Sequence, residues 1–176
     1  MSKSSKRKRL ILFRHAKSSW SEGVEDHDRP LSDRGRKAAP VIGHYLAKAK
    51  LQPDLVIVST ARRAQETWAR AVRAMKGPIE TQNSREIYLA SAEKLLEVIH
   101  GVDTSVGTLM LVGHNPGLED LARLLMKELG GEPGARLREK FPTAGIAVLS
   151  FEVGSWADVA AESGALDRFV TPKTIG

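Results

Sequence analysis

Short apolar runs of strand length alternate along the chain with segments whose apolar residues recur every three or four positions. The first run, residues 10–13 (LILF), stops abruptly at Arg14-His15. From residue 32 to 50, Ala39, Ile42, Leu46 and Ala49 share one helical face, with Gly35 and Pro40 weakening the first turns. Residues 54–59 (DLVIVS) read as a second buried strand. Ser59 and Thr60, both good N-cap types, then introduce a helix bearing Ala64, Trp68, Ala71, Val72 and Met75 on one side, and Gly77-Pro78 closes it. A short strand is expected at 79–82. Ser91 caps a helix carrying Ala92, Leu95, Leu96 and Ile99. Residues 108–114 (TLMLVGH) form another buried strand. Asn115-Pro116 opens a helix with Leu118, Leu121, Leu125 and Leu129 facing inward, stopped by Gly130-Gly131. Residues 144–153, a Gly-Ser break and residues 156–161 (WADVAA) predict a terminal hairpin.

Strand–helix alternation of this kind predicts the α/β class: a three-layer α/β/α sandwich around a mostly parallel central sheet. With 176 residues and no long linker, the chain suits one domain over residues 10–176, preceded by a basic tail at 1–9. The tail accounts for the charge. Lys3, Lys6, Arg7, Lys8 and Arg9 supply five of the 27 basic residues, so the rest of the chain, with 21 acidic residues, is nearly neutral. The tail therefore reads as a solvated arm, and nucleic acid is not an expected partner. No cysteine is present, which excludes disulfides, thiolate zinc sites and cysteine nucleophiles. No apolar run approaches the roughly 20 residues that span a bilayer, and no leader-like apolar segment follows the basic start. A cytoplasmic location without a membrane partner is the expectation.

In open parallel sheets, ligands bind beyond the carboxyl ends of the strands. Three strands here end in chemically loaded residues: Arg14-His15, Ser59-Thr60 with Arg62-Arg63 close behind, and Gly113-His114-Asn115. Were these strands parallel neighbours, one pocket would collect Arg14, His15, Arg63 and His114, joined by two helix N-termini whose N–H groups favour an anion. Such a pocket suits a phosphoryl group. Arginines beside both histidines would repel a cation, and no HExxH spacing occurs, so no metal is expected. Neither GxGxxG nor GxxxxGK[ST] occurs, and no cofactor is implied.

These residues resemble the histidine phosphatase superfamily in its phosphoglycerate-mutase-like branch 1, and within it the short phosphohistidine phosphatases of the SixA type. Arg14-His15-Ala16 corresponds to the signature Arg-His-Gly, with alanine in the glycine place. STARRAQET matches the segment carrying the second arginine and selects Arg63 over Arg62. LVGHNPG places the second histidine at His114, and DRPLSDRG, with Arg29, Leu31 and Gly35, resembles the segment before the first long helix. The resemblance spans Leu10 to about Leu129 and implies the phosphoglycerate-mutase-like fold. The chain has no room for the inserts that cover the substrate in the mutases, which implies an open pocket and a bulky substrate, such as a phosphorylated protein side chain.

What the resemblance implies mechanistically is a metal-independent phosphatase that works through a phosphohistidine intermediate. His15 would be the nucleophile, and Arg14, Arg63 and His114 would neutralise the phosphoryl oxygens. Asn115 and Ser18 join the expected phosphate contacts. Glu86, in SREIYLAS, resembles the acidic position of the wider family, where it would be a general acid; it reads equally as a surface glutamate. Ser19 is an ordinary loop serine or a loop donor, and Trp20 a pocket wall or a packing residue. Thr143 could reach the site from another strand end, while His27, His44 and His100 read as surface or structural. The implied partner is a protein carrying phosphohistidine or a small phosphate ester. The alternatives are a broad small-molecule phosphomonoesterase and a non-catalytic phosphate-binding adaptor.

Overall fold

The structure, a computed structural model, describes residues 7–127 and 131–175. The expectations for residues 1–6 of the tail, for Leu129 and for Gly130 lie outside the described residues. Six strands, β1 (Lys8–Arg14), β2 (Leu55–Ser59), β3 (Glu80–Ser84), β4 (Thr108–Gly113), β5 (Ile146–Phe151) and β6 (Ala165–Val170), form one sheet in the order β3-β2-β4-β1-β5-β6. The first four in that order pair in parallel, while β5 runs antiparallel to both β1 and β6. The strand expected at 10–13 begins two residues earlier. Lys8 and Arg9 pair with Phe151 and Ser150, and Lys8 Nζ donates to the Thr104 carbonyl at 2.6 Å. The basic segment therefore gives way to the sheet at Lys8, not at Leu10.

Helices α1 (Asp33–Lys48) and α2 (Arg62–Ala71) cover one face; α3 (Ala92–His100), α4 (Gly117–Leu125) and α5 (Gly131–Glu139) cover the other, and a single turn, α6 (Pro172–Ile175), follows β6. Side chains alternate across the pleat, so each inner strand feeds two cores. Leu10, Leu12, Leu109 and Leu111 pack with Leu95, Leu118 and Leu121, whereas Ile11, Phe13, Met110 and Val112 pack with Ile42, Leu46 and Trp68. All are buried, each contributing about 1.5–3 kcal/mol relative to exposure. Strand β3 (ETQNS) lies at the sheet edge, and its polar, mostly exposed residues suit that place.

Two helix starts carry serine caps, and the sequence marks the second of them. The Ser32 and Ser91 hydroxyls accept from Gly35 N–H and Lys94 N–H, each at 3.2 Å. A Cβ on Gly35 would stand 2.1 Å from the Lys17 carbonyl oxygen, so only glycine lets α1 press against the loop after His15. Three expectations are corrected. Helix α2 has Ala61, not Ser59 or Thr60, in its N-cap place and no side-chain cap. Residues 156–161 form no hairpin arm. Trp156 is fully buried, its indole N–H donates to the Val106 carbonyl at 2.7 Å, and Trp156–Asp158 turn as a 3-10 helix; β6 partners β5 instead. Finally, Gly131 is not part of a stop but opens α5, anchored by buried Leu137.

Candidate active site

Strand β4 lies between β1 and β2, so three loaded strand ends meet at one rim of the sheet. Arg14 stands in register with Gly113, and the His15 N–H donates to the Gly113 carbonyl at 3.0 Å. His15 is 7% exposed, and its Nδ1 lies 2.7 Å from the Ala16 carbonyl oxygen. A carbonyl only accepts, so Nδ1 carries the proton and Nε2 keeps its lone pair. Arg63 Nε approaches that lone pair at 3.4 Å. Burial above all, with Arg63, Arg14 and Arg29 adding to it against the Ala16 carbonyl, pushes His15 down to about 3. The imidazole is therefore neutral near pH 7. Ala16, in the glycine place of the motif, has an ordinary backbone and a buried methyl, and its N–H donates to Thr67 Oγ1 at 2.9 Å.

Arg63 is the second residue of α2 and is 3% exposed. Its Nη1 donates to the Asp26 carbonyl at 2.6 Å and its Nη2 to Asp26 Oδ2 at 3.0 Å. Arg62 points away, paired with Glu66 at 2.9 Å. Arg14 Nη1 donates to the Phe141 carbonyl at 3.0 Å. His114 is buried, with its ring centroid 5.2 Å from that of His15 and its Nε2 2.7 Å from Ser59 Oγ. Burial first, then His15 and Arg63, lowers it to about 3. Two buried atoms beside His15, Arg14 Nε and His114 Nδ1, have no hydrogen-bond partner among the described residues. Leaving such a group unsatisfied costs about 1–3 kcal/mol, which an anion's oxygens would offset.

The other expected contacts serve the surrounding loops. Both ends of the Asn115 amide are engaged: Nδ2 donates to the Phe141 carbonyl at 2.9 Å, and Oδ1 accepts from Glu119 N–H at 3.3 Å. Ser18 Oγ accepts a short hydrogen bond from Arg29 Nη2, and the Ser19 carbonyl accepts from Arg29 Nε at 3.2 Å. Trp20 is largely exposed, with the Arg29 guanidinium 3.3 Å over its ring. Glu86 is not brought to the pocket. Its side chain is 67% exposed, pairs with Lys94 at 3.6 Å and faces a groove along β3 and α3. His44 is exposed and His100 ties α3 to the Val159 carbonyl at 2.8 Å, whereas His27 stands edge-on to Tyr88 at 4.8 Å and bonds Thr60 Oγ1 at 2.8 Å.

The residues that sequence reasoning missed form a brace behind Arg63. Asp26 takes Arg63 and Tyr88 on Oδ2, the latter at 2.5 Å, and Arg29 on Oδ1 at 2.9 Å. The Tyr88 hydrogen bond first, then those from Arg29 and Arg63, hold the Asp26 carboxyl below its ordinary range despite partial burial. Tyr88 also packs edge-on against His114, 5.4 Å between centroids. Arg29 was visible as part of DRPLSDRG; Asp26, three residues before it, lay in the same polar loop, but nothing marked Tyr88.

Comparison with known proteins shows the family and the fold. The sequence profile of the histidine phosphatase superfamily (branch 1) matches residues 10–103. An uncharacterized protein of Mycobacterium tuberculosis is 39% identical over 163 residues, 92% of this chain and 100% of its own. The solved structure of a candidate phosphohistidine phosphatase SixA from Nakamurella multipartitia has a TM-score of 0.82 at 29% identity, covering 94% of this chain and 96% of that one. Its counterpart from Agrobacterium tumefaciens has a TM-score of 0.79 at 34% identity, covering 94% and 98%. Among the described residues, no helix is long and apolar enough to cross a membrane.

Proposed function

The chain belongs to the histidine phosphatase superfamily (branch 1) and is a phosphatase, and we propose that it removes phosphoryl groups from phosphohistidine on proteins, through a covalent intermediate on His15 and without a metal ion. The observation that carries this reading is the His15 ring, whose proton is held on Nδ1 by the Ala16 carbonyl and whose Nε2 lone pair stands beside Arg63. Nε2 attacks phosphorus; the bond to the substrate imidazole breaks as the Nε2–P bond forms, and that ring, protonated by solvent on its far nitrogen, leaves as neutral imidazole. Water then attacks phosphorus, the Nε2–P bond breaks, and inorganic phosphate leaves with His15 restored. A neutral nucleophile needs a depressed pKa, which burial among arginines supplies.

Arg14, Arg63 and His114 hold the phosphoryl oxygens as charge spreads onto them. Ser59 Oγ accepts from the Ala61 N–H at 3.2 Å, and His114 Nε2 is the one acceptor near its own proton among the described residues, so we assign that proton as donated to His114 Nε2. That assignment puts the His114 proton on Nδ1, the buried atom without a partner, where it can donate to a phosphoryl oxygen. Imidazole is a far better leaving group than an alkoxide, so the scheme needs no strong general acid, in keeping with the outward-facing Glu86.

A trapping experiment tests the scheme. Wild type and His15→Ala are incubated in EDTA with a labelled phosphoryl donor and quenched fast. Acid-labile, base-stable label mapped to His15 of the wild type alone is the expected result. Turnover that needs an added metal ion, or label on a different residue, overturns it. Rates on phosphohistidine peptides against sugar phosphates then test the substrate class, with the peptides expected to react faster. A cytoplasmic location belongs to the same proposal, and cell fractionation tests it.

A further inference from the structure

A second basic feature lies beside the site, outside the chemistry above. A groove of about 600 Å³ runs between the start of α1, the end of α5 and the β6–α6 junction. Its rim carries Lys17, Arg34, Arg136, Lys140 and Lys173 against a single acid, Glu139. It adjoins the catalytic pocket on two sides. Lys17 is two residues past His15, and Pro142 and Thr143 follow Phe141, whose carbonyl binds Arg14 and Asn115. Thr143, expected near the pocket, lines this groove instead.

Arg136 is its unusual member. The guanidinium lies 5.6 Å from the Phe169 ring centroid, and its Nε and Nη1 are covered and have no hydrogen-bond partner among the described residues. The ring holds the guanidinium at the groove lining, where its positive charge attracts a carboxylate. The five cations come from four places in the chain, the loop after His15, α1, the end of α5 and α6, and so line the groove rather than one point of it. The groove floor is partly apolar, with Ala38, Pro142, Phe169 and Pro172. Dispersed cations over an apolar floor suit an extended chain carrying several carboxylates.

We propose that this groove docks an acidic polypeptide segment flanking the phosphohistidine of the protein substrate. This inference rests on the phosphatase reading for the word substrate, but its binding test does not. Fluorescence anisotropy of a labelled, unphosphorylated Glu/Asp-rich peptide with the full chain reads docking without catalysis. Arg136→Gln with Lys140→Gln should weaken binding by about tenfold, and Arg34→Gln with Lys173→Gln, both on exposed side chains, by several-fold. Arg73→Gln with Lys76→Gln, of equal charge change at the opposite end of the sheet, should change it less than about twofold. Raising salt from about 50 to about 300 mM should weaken wild-type binding by about tenfold.

Kinetics form the second arm. A phosphohistidine peptide with acidic flanks should surpass one with neutral flanks about tenfold in kcat/KM, and the Arg136→Gln/Lys140→Gln variant should lose that preference with p-nitrophenyl phosphate turnover unchanged. Equal weakening by the remote pair, or none by the groove pairs, overturns the docking proposal while normal turnover leaves the phosphatase intact. Groove-dependent binding without turnover of any donor upholds docking and overturns the phosphatase reading.

Discussion

Two buried neutral histidines should give the protein a steep stability loss on mild acidification. His15 and His114 are 7% and 4% exposed, and both are pushed from an ordinary 6.5 to about 3. Below 6.5 the unfolded chain protonates these rings and the native state does not. The unfolded state then binds more protons, so native stability falls as pH falls, from about 6.5 down to about 3. From about pH 7 to pH 5 each ring contributes a loss of about 2 kcal/mol, about 4 kcal/mol together. Any native value below about 4 gives nearly the same result, because over this window only the unfolded state titrates. Urea unfolding at several pH values, on wild type, His15→Ala, His114→Ala and the double variant, measures this. Slopes against pH are compared rather than absolute stabilities, since each alanine also opens a cavity. Each single variant should lose about half of the excess slope and the double variant all of it. Parallel curves for all four proteins would refute the claim that these rings are held neutral by burial among arginines.

Three further outcomes separate residues that the sequence places close together. Arg63→Ala should lower kcat/KM by about 10²-fold or more while Arg62→Ala stays within about threefold, because only Arg63 reaches His15; steady-state kinetics on p-nitrophenyl phosphate decide it, and equal losses would contradict the geometry. Ser59→Ala removes the partner of His114 Nε2 in a buried setting; it should cost about 1–3 kcal/mol in urea unfolding and about tenfold in kcat, and an unchanged kcat would release His114 from the assigned tautomer. Glu86→Gln should leave turnover of both alkyl and aryl phosphates within about twofold, since the carboxylate faces Lys94; a loss of about tenfold confined to alkyl phosphates would restore it as a general acid.

The brace formed by Asp26 gives the arginine its precision. An arginine side chain loses much rotamer freedom when held, and Arg63 is fixed through both Nη groups by one residue, leaving Nε directed at His15. Asp26 is in turn held by Tyr88 and Arg29. The second arginine of the motif is thus positioned by a loop that precedes it by 37 residues.

The sequence by itself determined the parts that depend on neighbours along the chain. Continuous apolar runs specified the inner strands because a parallel strand covered on both faces must be apolar at every position. Ser91 specified a helix start because an N-cap acts over three residues, whereas the cap of α1 at Ser32, obscured by Gly35 and Pro40 nearby, is seen only in the structure. Three separated motifs named Arg14, His15, Arg63 and His114, and the helical phase of α2 agrees in burying Arg63 and exposing Arg62. Only the tertiary structure decided the rest. The insertion of β4 between β1 and β2 is a matter of sheet order, and no local pattern encodes it. Ser59 bonds a histidine 55 positions away rather than capping α2, and Tyr88 reaches Asp26 across 62. Glu86 turns outward while its neighbour Ile87 turns into the core. β6, with two exposed and two half-buried residues among six, carries too weak an alternation to outweigh the Trp156 segment on paper. Polar side chains take partners by distance and direction in space, and those are set only once sheet register and helix packing have placed the backbone.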